Sequence, residues 1–405
     1  MRRVVITGMG IYSVLGKNLD EVKNSLQIGK SGIVLDPARK ELGFRSGLTG
    51  FLEKPNLKGV IPRRMRIGLA EQGEYAYVST LEAIANAKIQ EDFFENNHVG
   101  IIFGNDSSST PVAEVADILR EKKDTMLIGS GSIFQSMNST VSMNLSVIFK
   151  LKGINMTVSA ACASGSHAIG LAYMFIQNGL QEMVICGGAQ EINALSTASF
   201  DALSAFSVRE NDPTKASRPF DAGRDGLVPS GGAATVIVES YESAVKRGAT
   251  ILGEIIGYGF SSNGDHISIP NVDGPVRSLE LALRQANVTA NDIDYVNAHA
   301  TSTPIGDSNE AQALFKVFGS KVPISSTKSM TGHEMWMGGA SEIIYSLLMM
   351  HNDFIAPNIN FETPDEDSKN LNIISKPTKA KINTFLSNSF GFGGTNSSLI
   401  VKKYS

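Results

Sequence analysis

The chain contains two cysteines, and one of them is placed to react. Cys162 stands in the run TVSAACASGSHAIG, where an apolar strand-like stretch at 155–159 gives way to small residues and then to a helical pattern through Ser166, Ile169, Leu171 and Phe175. A thiol on a sharp strand-to-helix turn projects from the top of a sheet, and Ala161, Ala163 and Gly165 leave room beside it for a substrate. The positive end of the helix favours thiolate over thiol. Its free backbone N–H groups can also hold an oxyanion. Taken without its neighbours, such a cysteine is equally compatible with a buried structural role. Cys186, in MVICGGAQE, is expected in the core.

Two histidines follow strand-like runs much further along. His299 ends the run DYVNAHA and leads through TST and Pro304-Ile305-Gly306 into a helix; His333 follows ISSTKSMTG and precedes another, which carries Glu342. The C-terminal end of a strand is where open α/β sheets place their ligand-binding groups. Lys328 lies five residues before His333. The other four histidines, His98, His167, His266 and His351, lack such a setting. In LSNSFGFGGTNSSL, Phe390 and Phe392 alternate with Gly391, Gly393 and Gly394. No Lys-Ser/Thr follows, so a tight turn that brings a backbone N–H to a reacting group fits better than a phosphate loop. Gly8-Met9-Gly10 is no dinucleotide fingerprint, because Ser13 stands where the third glycine belongs. One cysteine, two strand-end histidines and a lysine point to acyl transfer through a thioester. A Cys–His protease is the rival, and the Cys162-to-His299 interval suits it. That scheme leaves His333 and Lys328 without a task.

These residues need a scaffold, and the pattern predicts one. Strands are expected at 3–7, 99–103, 155–159, 182–186, 233–239, 253–259, 294–298, 322–325, 384–387 and 397–401, and helices at 66–87, 166–178, 273–286, 309–318 and 339–351. Such alternation predicts an α/β layered fold. In the fourth helix, Asp307 and Glu310 are spaced as a capping box, Ala311, Leu314, Phe315 and Phe318 form one buried face, and Gly319 closes it. The polar stretch 240–250 is the best boundary between two similar halves, 1–250 and 251–405. The DEDSKN cluster at 365–370 is expected to be a solvated loop.

With 405 residues, the chain has room for two to three domains or one large duplicated fold. A net charge of −4 does not favour a whole-surface nucleic-acid or membrane binder. Two cysteines make no disulfide framework, which suggests a reducing compartment. The apolar N-terminal run contains three glycines and no cleavage pattern, so it is not read as a signal peptide. A cytoplasmic location is expected.

Taken together, SAACASG, NAHATSTPIGD, STKSMTGH and SNSFGFGGTN resemble the elongating β-ketoacyl-[acyl-carrier-protein] synthases of fatty-acid and polyketide synthesis, members of the thiolase-like superfamily. The resemblance runs from VVITGMG to the last strand and leans toward class I over class II. It implies a duplicated five-layered αβαβα fold and a decarboxylative Claisen condensation. Cys162 would take the acyl chain, and His299 and His333 would stabilise the enolate formed from malonyl-carrier protein. Lys328 and Glu342 would orient the network. Backbone N–H groups of Cys162 and Phe392 would form the oxyanion hole, the Phe392 ring would gate the pocket, and Thr301 and Thr303 would bind the pantetheine arm. No metal or redox cofactor is implied. The implied partner is acidic acyl carrier protein, for which Arg63, Arg64, Arg66, Arg120, Lys122, Lys123 and Arg209 are docking candidates. A homodimer is the default, with a heterodimer as the other possibility.

The chain departs from the family pattern in places. Ala300 replaces a usual glycine, Leu227 a usual phenylalanine, and Glu334-Met335-Trp336-Met337 a run of small residues. These departures suggest a specialised acyl group: short, unsaturated or aryl-primed, as in a polyene pathway. A degradative thiolase would need a second catalytic cysteine in the C-terminal half, and none follows Cys186. A non-catalytic chain-length partner would typically lack Cys162. A cysteine hydrolase is the remaining alternative.

Overall fold

Ten of the apolar, β-branched runs become strands of a single sheet in the computed structural model, which describes residues 1–90 and 92–404. They are β1 (Val4–Ser13), β2 (Gly100–Gly104), β3 (Asn155–Val158), β4 (Met183–Gln190), β5 (Gly232–Ser240), β6 (Gly253–Ser262), β7 (Tyr295–Asn297), β8 (Pro323–Ser325), β10 (Thr384–Gly391) and β11 (Thr395–Lys402). A two-residue strand, β9 (Asn372–Ile373), completes the order β9-β8-β7-β10-β11-β6-β1-β5-β4-β2-β3.

The pairing repeats. From β1 outward it runs antiparallel to β5, antiparallel to β4, parallel to β2 and parallel to β3. From β6 outward the same sequence of senses joins β11, β10, β7 and β8. The two units meet where Val4, Val5 and Ile6 of β1 pair with Ile255, Glu254 and Gly253 of β6.

Both faces are covered. Helices α3 (Ser164–Gln177) and α6 (Gly338–His351) pack on each other and on strands of both units, forming the middle layer. Every α6 residue from Gly338 to Met350 is buried, as expected of a helix sandwiched on both sides. Outside them, α1 (Glu71–Asn86) and α2 (Thr140–Ile148) cover one unit, and α4 (Asp273–Ala286), with α5 (Pro304–Phe318) against it, covers the other. The architecture is α/β, thiolase-like and five-layered.

Local differences from the sequence expectation have physical reasons. The helix expected at 66–87 breaks into Arg63–Arg66 and α1, because Asn144 and Gln135 side chains take the carbonyls of Gly68 and Leu69. Helix α5 starts five residues early, at Pro304, and the Asp307–Glu310 capping box does not form: both carboxylates turn back to the loop before the helix. Phe315 faces solvent, while Ala311, Leu314 and Phe318 are buried. The 365–370 segment is tied down, with Asp365 2.5 Å from Arg224 and Ser368 buried.

Candidate active site

Every candidate group sits just beyond the C-terminal end of a strand. Cys162 follows β3, His299 follows β7, Lys328 and His333 follow β8, and Phe392 follows β10. The cysteine turn is built by two local bonds and one to Asp106, which follows β2. The Ala161 N–H donates to Asp106 Oδ2 (2.9 Å), the Ala160 N–H to Ser164 Oγ (2.8 Å), and Ser164 Oγ to the Ala161 carbonyl (2.6 Å). Ala161 adopts φ 45°, a left-handed conformation that costs a non-glycine residue about 1–3 kcal/mol and persists where neighbours enforce it.

The thiol is buried, and its backbone surroundings aim at it. The N–H groups of Cys162 itself and of Phe392 face the sulfur. Burial nevertheless dominates and pushes the thiol up to about 12, against the opposing pull of Lys328 and those N–H groups. The expectation of a resting thiolate is therefore corrected. The helix start is present, but desolvation outweighs it, and the resting sulfur carries its proton.

His333 Nε2 lies 3.0 Å from Cys162 Sγ. The His299 ring stands edge-on to His333, with centroids 5.4 Å apart. Burial, reinforced by the charge of Lys328, holds both imidazoles well below the usual histidine range; for His299 the neighbouring His333 adds to this. Both are neutral at pH 7, so each presents one N–H donor. Lys328 pairs with Glu342, and both are buried. Burial pushes Glu342 up to about 7, with Lys328 opposing.

A cavity of about 430 Å³ joins these groups to the surface and is lined by Cys162, His299, His333, Thr301, Thr303 and Phe392, among others. The threonine hydroxyls are 3.1 Å apart, on a loop held by Asp307, whose carboxylate accepts the N–H groups of Thr301 (2.9 Å), Ser302 (3.1 Å) and Thr303 (3.2 Å). Glu310 accepts those of His299 (2.9 Å) and Ala300 (2.6 Å). Phe392 is partly exposed and stacks on Phe200 at 5.8 Å, next to Gly393 and Gly394, both at positive φ. Such a ring can swing while its N–H stays on the sulfur.

A thiol, two neutral imidazoles and two backbone donors in one cavity form an acyl-transfer site. Comparison with known proteins agrees. Residues 1–244 match the model of the beta-ketoacyl synthase N-terminal domain, and residues 252–362 that of its C-terminal domain. The chain belongs to the β-ketoacyl synthase family. It is 44% identical to the 3-oxoacyl-[acyl-carrier-protein] synthase 1 of Haemophilus influenzae, across all of both chains. The crystal structure of a beta-ketoacyl synthase from Burkholderia phymatum superposes with a TM-score of 0.94 at 36% identity, again covering both chains fully. A ketosynthase solved with its type II polyketide acyl carrier protein superposes at 0.90 and 29%, also over both whole chains. As a β-ketoacyl synthase, the protein is an acyltransferase of the condensing type.

The basic candidates lie apart from the synthase cavity, since none of them lines it. Arg63, Arg64 and Arg66 form a four-residue helix, and Arg120, Lys122 and Lys123 end the helix Ser109–Lys122. Arg209 lies nearer: its N–H donates to Ser207 Oγ, which in turn bonds Asp225 of the cavity wall. Ala300 and Leu227 line the cavity as buried residues. Cys186 is fully buried, as expected of a core residue. Among the described residues, no helix is long and apolar enough to cross a membrane, and no three His, Cys, Asp or Glu side chains converge as a metal site.

Several supporting residues escaped the sequence reading. Asp106 and Ser107 follow β2, in the place that the His299 loop takes after β7, so an internal alignment of NDSSST with HATSTP would have found them. His167 bonds Tyr258 (2.6 Å) and Thr395 (2.8 Å), tying the cysteine helix to the end of the Phe392 turn.

Proposed function

We propose that the protein is a 3-oxoacyl-[acyl-carrier-protein] synthase in which Cys162 is the nucleophile. The observation that carries this is the 3.0 Å approach of His333 Nε2 to Cys162 Sγ, with His299 beside it in the same cavity. As the sulfur attacks the acyl thioester, the thiol proton passes to the departing pantetheine sulfur, and His333 keeps its Nε2–H toward the reacting atoms. The N–H groups of Cys162 and Phe392 stabilise the tetrahedral oxyanion. A malonyl thioester then loses CO2, and its enolate oxygen accepts hydrogen bonds from His299 and His333. The carbanion forms a C–C bond with the acyl carbonyl, the C–S bond to Cys162 breaks, and the sulfur takes up a proton. Thr301 and Thr303 hold the pantetheine arm, and Lys328 with Glu342 orients the pair of imidazoles.

Intact-mass measurement tests this. Incubation with acyl-carrier protein is expected to add one acyl group, located on Cys162 and not Cys186, and malonyl-carrier protein to discharge it as 3-oxoacyl product. An adduct that water alone discharges would select a hydrolase, and no adduct would select a non-catalytic partner.

The basic side chains around Arg63, Lys122 and Arg209 are the docking candidates for an acidic carrier protein, and the two halves 1–250 and 251–405 are the structural units. A cytoplasmic enzyme fits these partners. The quaternary reading is a dimer of identical chains joined along β3, the end strand of the sheet, where Asn155 and Met156 are exposed. An open edge invites pairing with another strand. Sedimentation is expected to give a dimer, and Met156→Lys to shift it toward monomer; a wild-type monomer at micromolar concentration would refute the interface.

A further inference from the structure

The cavity has Cys162 in its lining but not Phe206, Met335 or Trp336. Thr301, Thr303 and Ile305 also line it, and the exposed Ile305 marks its opening to solvent. Behind the lining residues Cys162 and Leu227 the space is filled, because Phe206, Met335 and Trp336, which do not line the cavity, are buried and pack with them in one apolar cluster. A thioester exchanged at Cys162 has two ends. The carrier arm occupies the side through which it enters, so the acyl group is directed to the other, where the indole stands.

The indole is fixed in place. Its Nε1 donates to Ser107 Oγ at 3.0 Å, and its ring lies 6.4 Å from that of Phe200. The Trp336 carbonyl is wedged between two glycines: a Cβ on Gly165 would come within 2.8 Å of it, and one on Gly188 within 2.6 Å. Met335 is held at φ 45°, which a residue with a side chain adopts only where its surroundings hold it there. Glu334, also buried, accepts hydrogen bonds from Ser341 Oγ (2.5 Å) and Tyr345 OH (2.8 Å) of α6. A turn anchored by backbone on one side and a carboxylate on the other does not yield easily to an incoming chain.

We propose that Trp336 is the specificity-determining residue of the acyl site, closing the space beyond Cys162 so that the enzyme accepts short acyl groups and rejects long saturated ones. This rests on the condensing activity proposed above. A short acyl group would lie against the Phe200 and Phe392 rings, which line the same cavity as Cys162. A longer flexible chain would have to displace a buried, hydrogen-bonded indole.

The test measures kcat/KM for acylation of Cys162 by butyryl- and octanoyl-carrier protein, in wild type, Trp336→Ala and Trp336→Leu, with folding checked by thermal melting. Wild type is expected to prefer butyryl. Opening the wall is expected to raise the octanoyl-to-butyryl ratio by on the order of 10², at about fourfold for each of four newly buried methylenes. Trp336→Leu, which keeps the core filled, is expected to shift the ratio in the same direction by less. Equal wild-type rates for both chains, or an unchanged ratio in a folded variant, would overturn the proposal. Failure of every acyl group to reach Cys162 would instead defeat the condensing activity itself.

Discussion

Cys162→Ala is expected to abolish acyl uptake and product formation, whereas His333→Ala is expected to slow condensation by about 10²–10³-fold and still take up an acyl group. The difference follows from what each atom does. No other thiol is available, since Cys186 is fully buried in β4. His333 meets the sulfur at 3.0 Å in the resting state, yet the N–H groups of Cys162 and Phe392 remain to stabilise the acylation oxyanion after its removal. The later enolate depends more heavily on His333, because it has two imidazole donors and loses one. Loss of a single preorganised donor costs about 10²–10³ in rate. Time-resolved intact mass distinguishes the variants: Cys162→Ala stays at the unmodified mass, and His333→Ala accumulates the acyl form, which malonyl-carrier protein discharges slowly. A His333→Ala chain that condenses at the wild-type rate would remove His333 from the mechanism.

Such a division of labour was legible in the sequence because each group lies where a strand pattern stops. Strand ends are local signals, and all ten predicted strands are present with shifted limits. Convergence is another matter: Cys162 and His333 belong to equivalent strands of two sheet units, and no local pattern says that these units share a cavity. The family motifs carried that step. What stayed hidden was set by burial. The helix start at Ser164 argued for a thiolate, but the exclusion of water around Cys162 decides the proton, and it cannot be seen from spacing. Likewise Asp307 and Glu310 read as helix caps, since their competing use, holding the backbone N–H groups of residues 299–303, exists only once the chain has turned back. Trp336 stood out as bulk in a small-residue run, but the sequence offered no way to tell which side of the sulfur it would occupy.

The same exclusion of water makes the cation behind the histidines a decisive position for stability. Lys328 faces two buried carboxyls of α6 and its approach, Glu342 and Glu334, each pushed up by burial to about 7 against the pull of that lysine. Lys328→Met leaves the carboxyls without their cation, and their protonation is favoured further still. A carboxyl whose folded value lies above its unfolded one stabilises the fold while it can stay protonated. That contribution shrinks as pH climbs from the unfolded value near 4.5 through the folded one. The Lys328→Met chain is therefore expected to melt near the wild-type temperature at pH 5 and well below it at pH 8, where breaking a buried pair costs about 3–5 kcal/mol. Glu342→Leu strands the ammonium instead and is expected to destabilise by a similar amount. Replacing both, with Lys328→Met and Glu342→Leu, removes the unpaired charge and is expected to recover most of the melting temperature. Condensation does not return with it, because the double variant restores packing around α6 without the charged pair that orients His299 and His333 and reinforces the effect of burial on them. Recovery of activity along with stability would mean that the pair serves the fold alone; a melting temperature independent of pH in Lys328→Met would mean that the carboxyls do not respond to it.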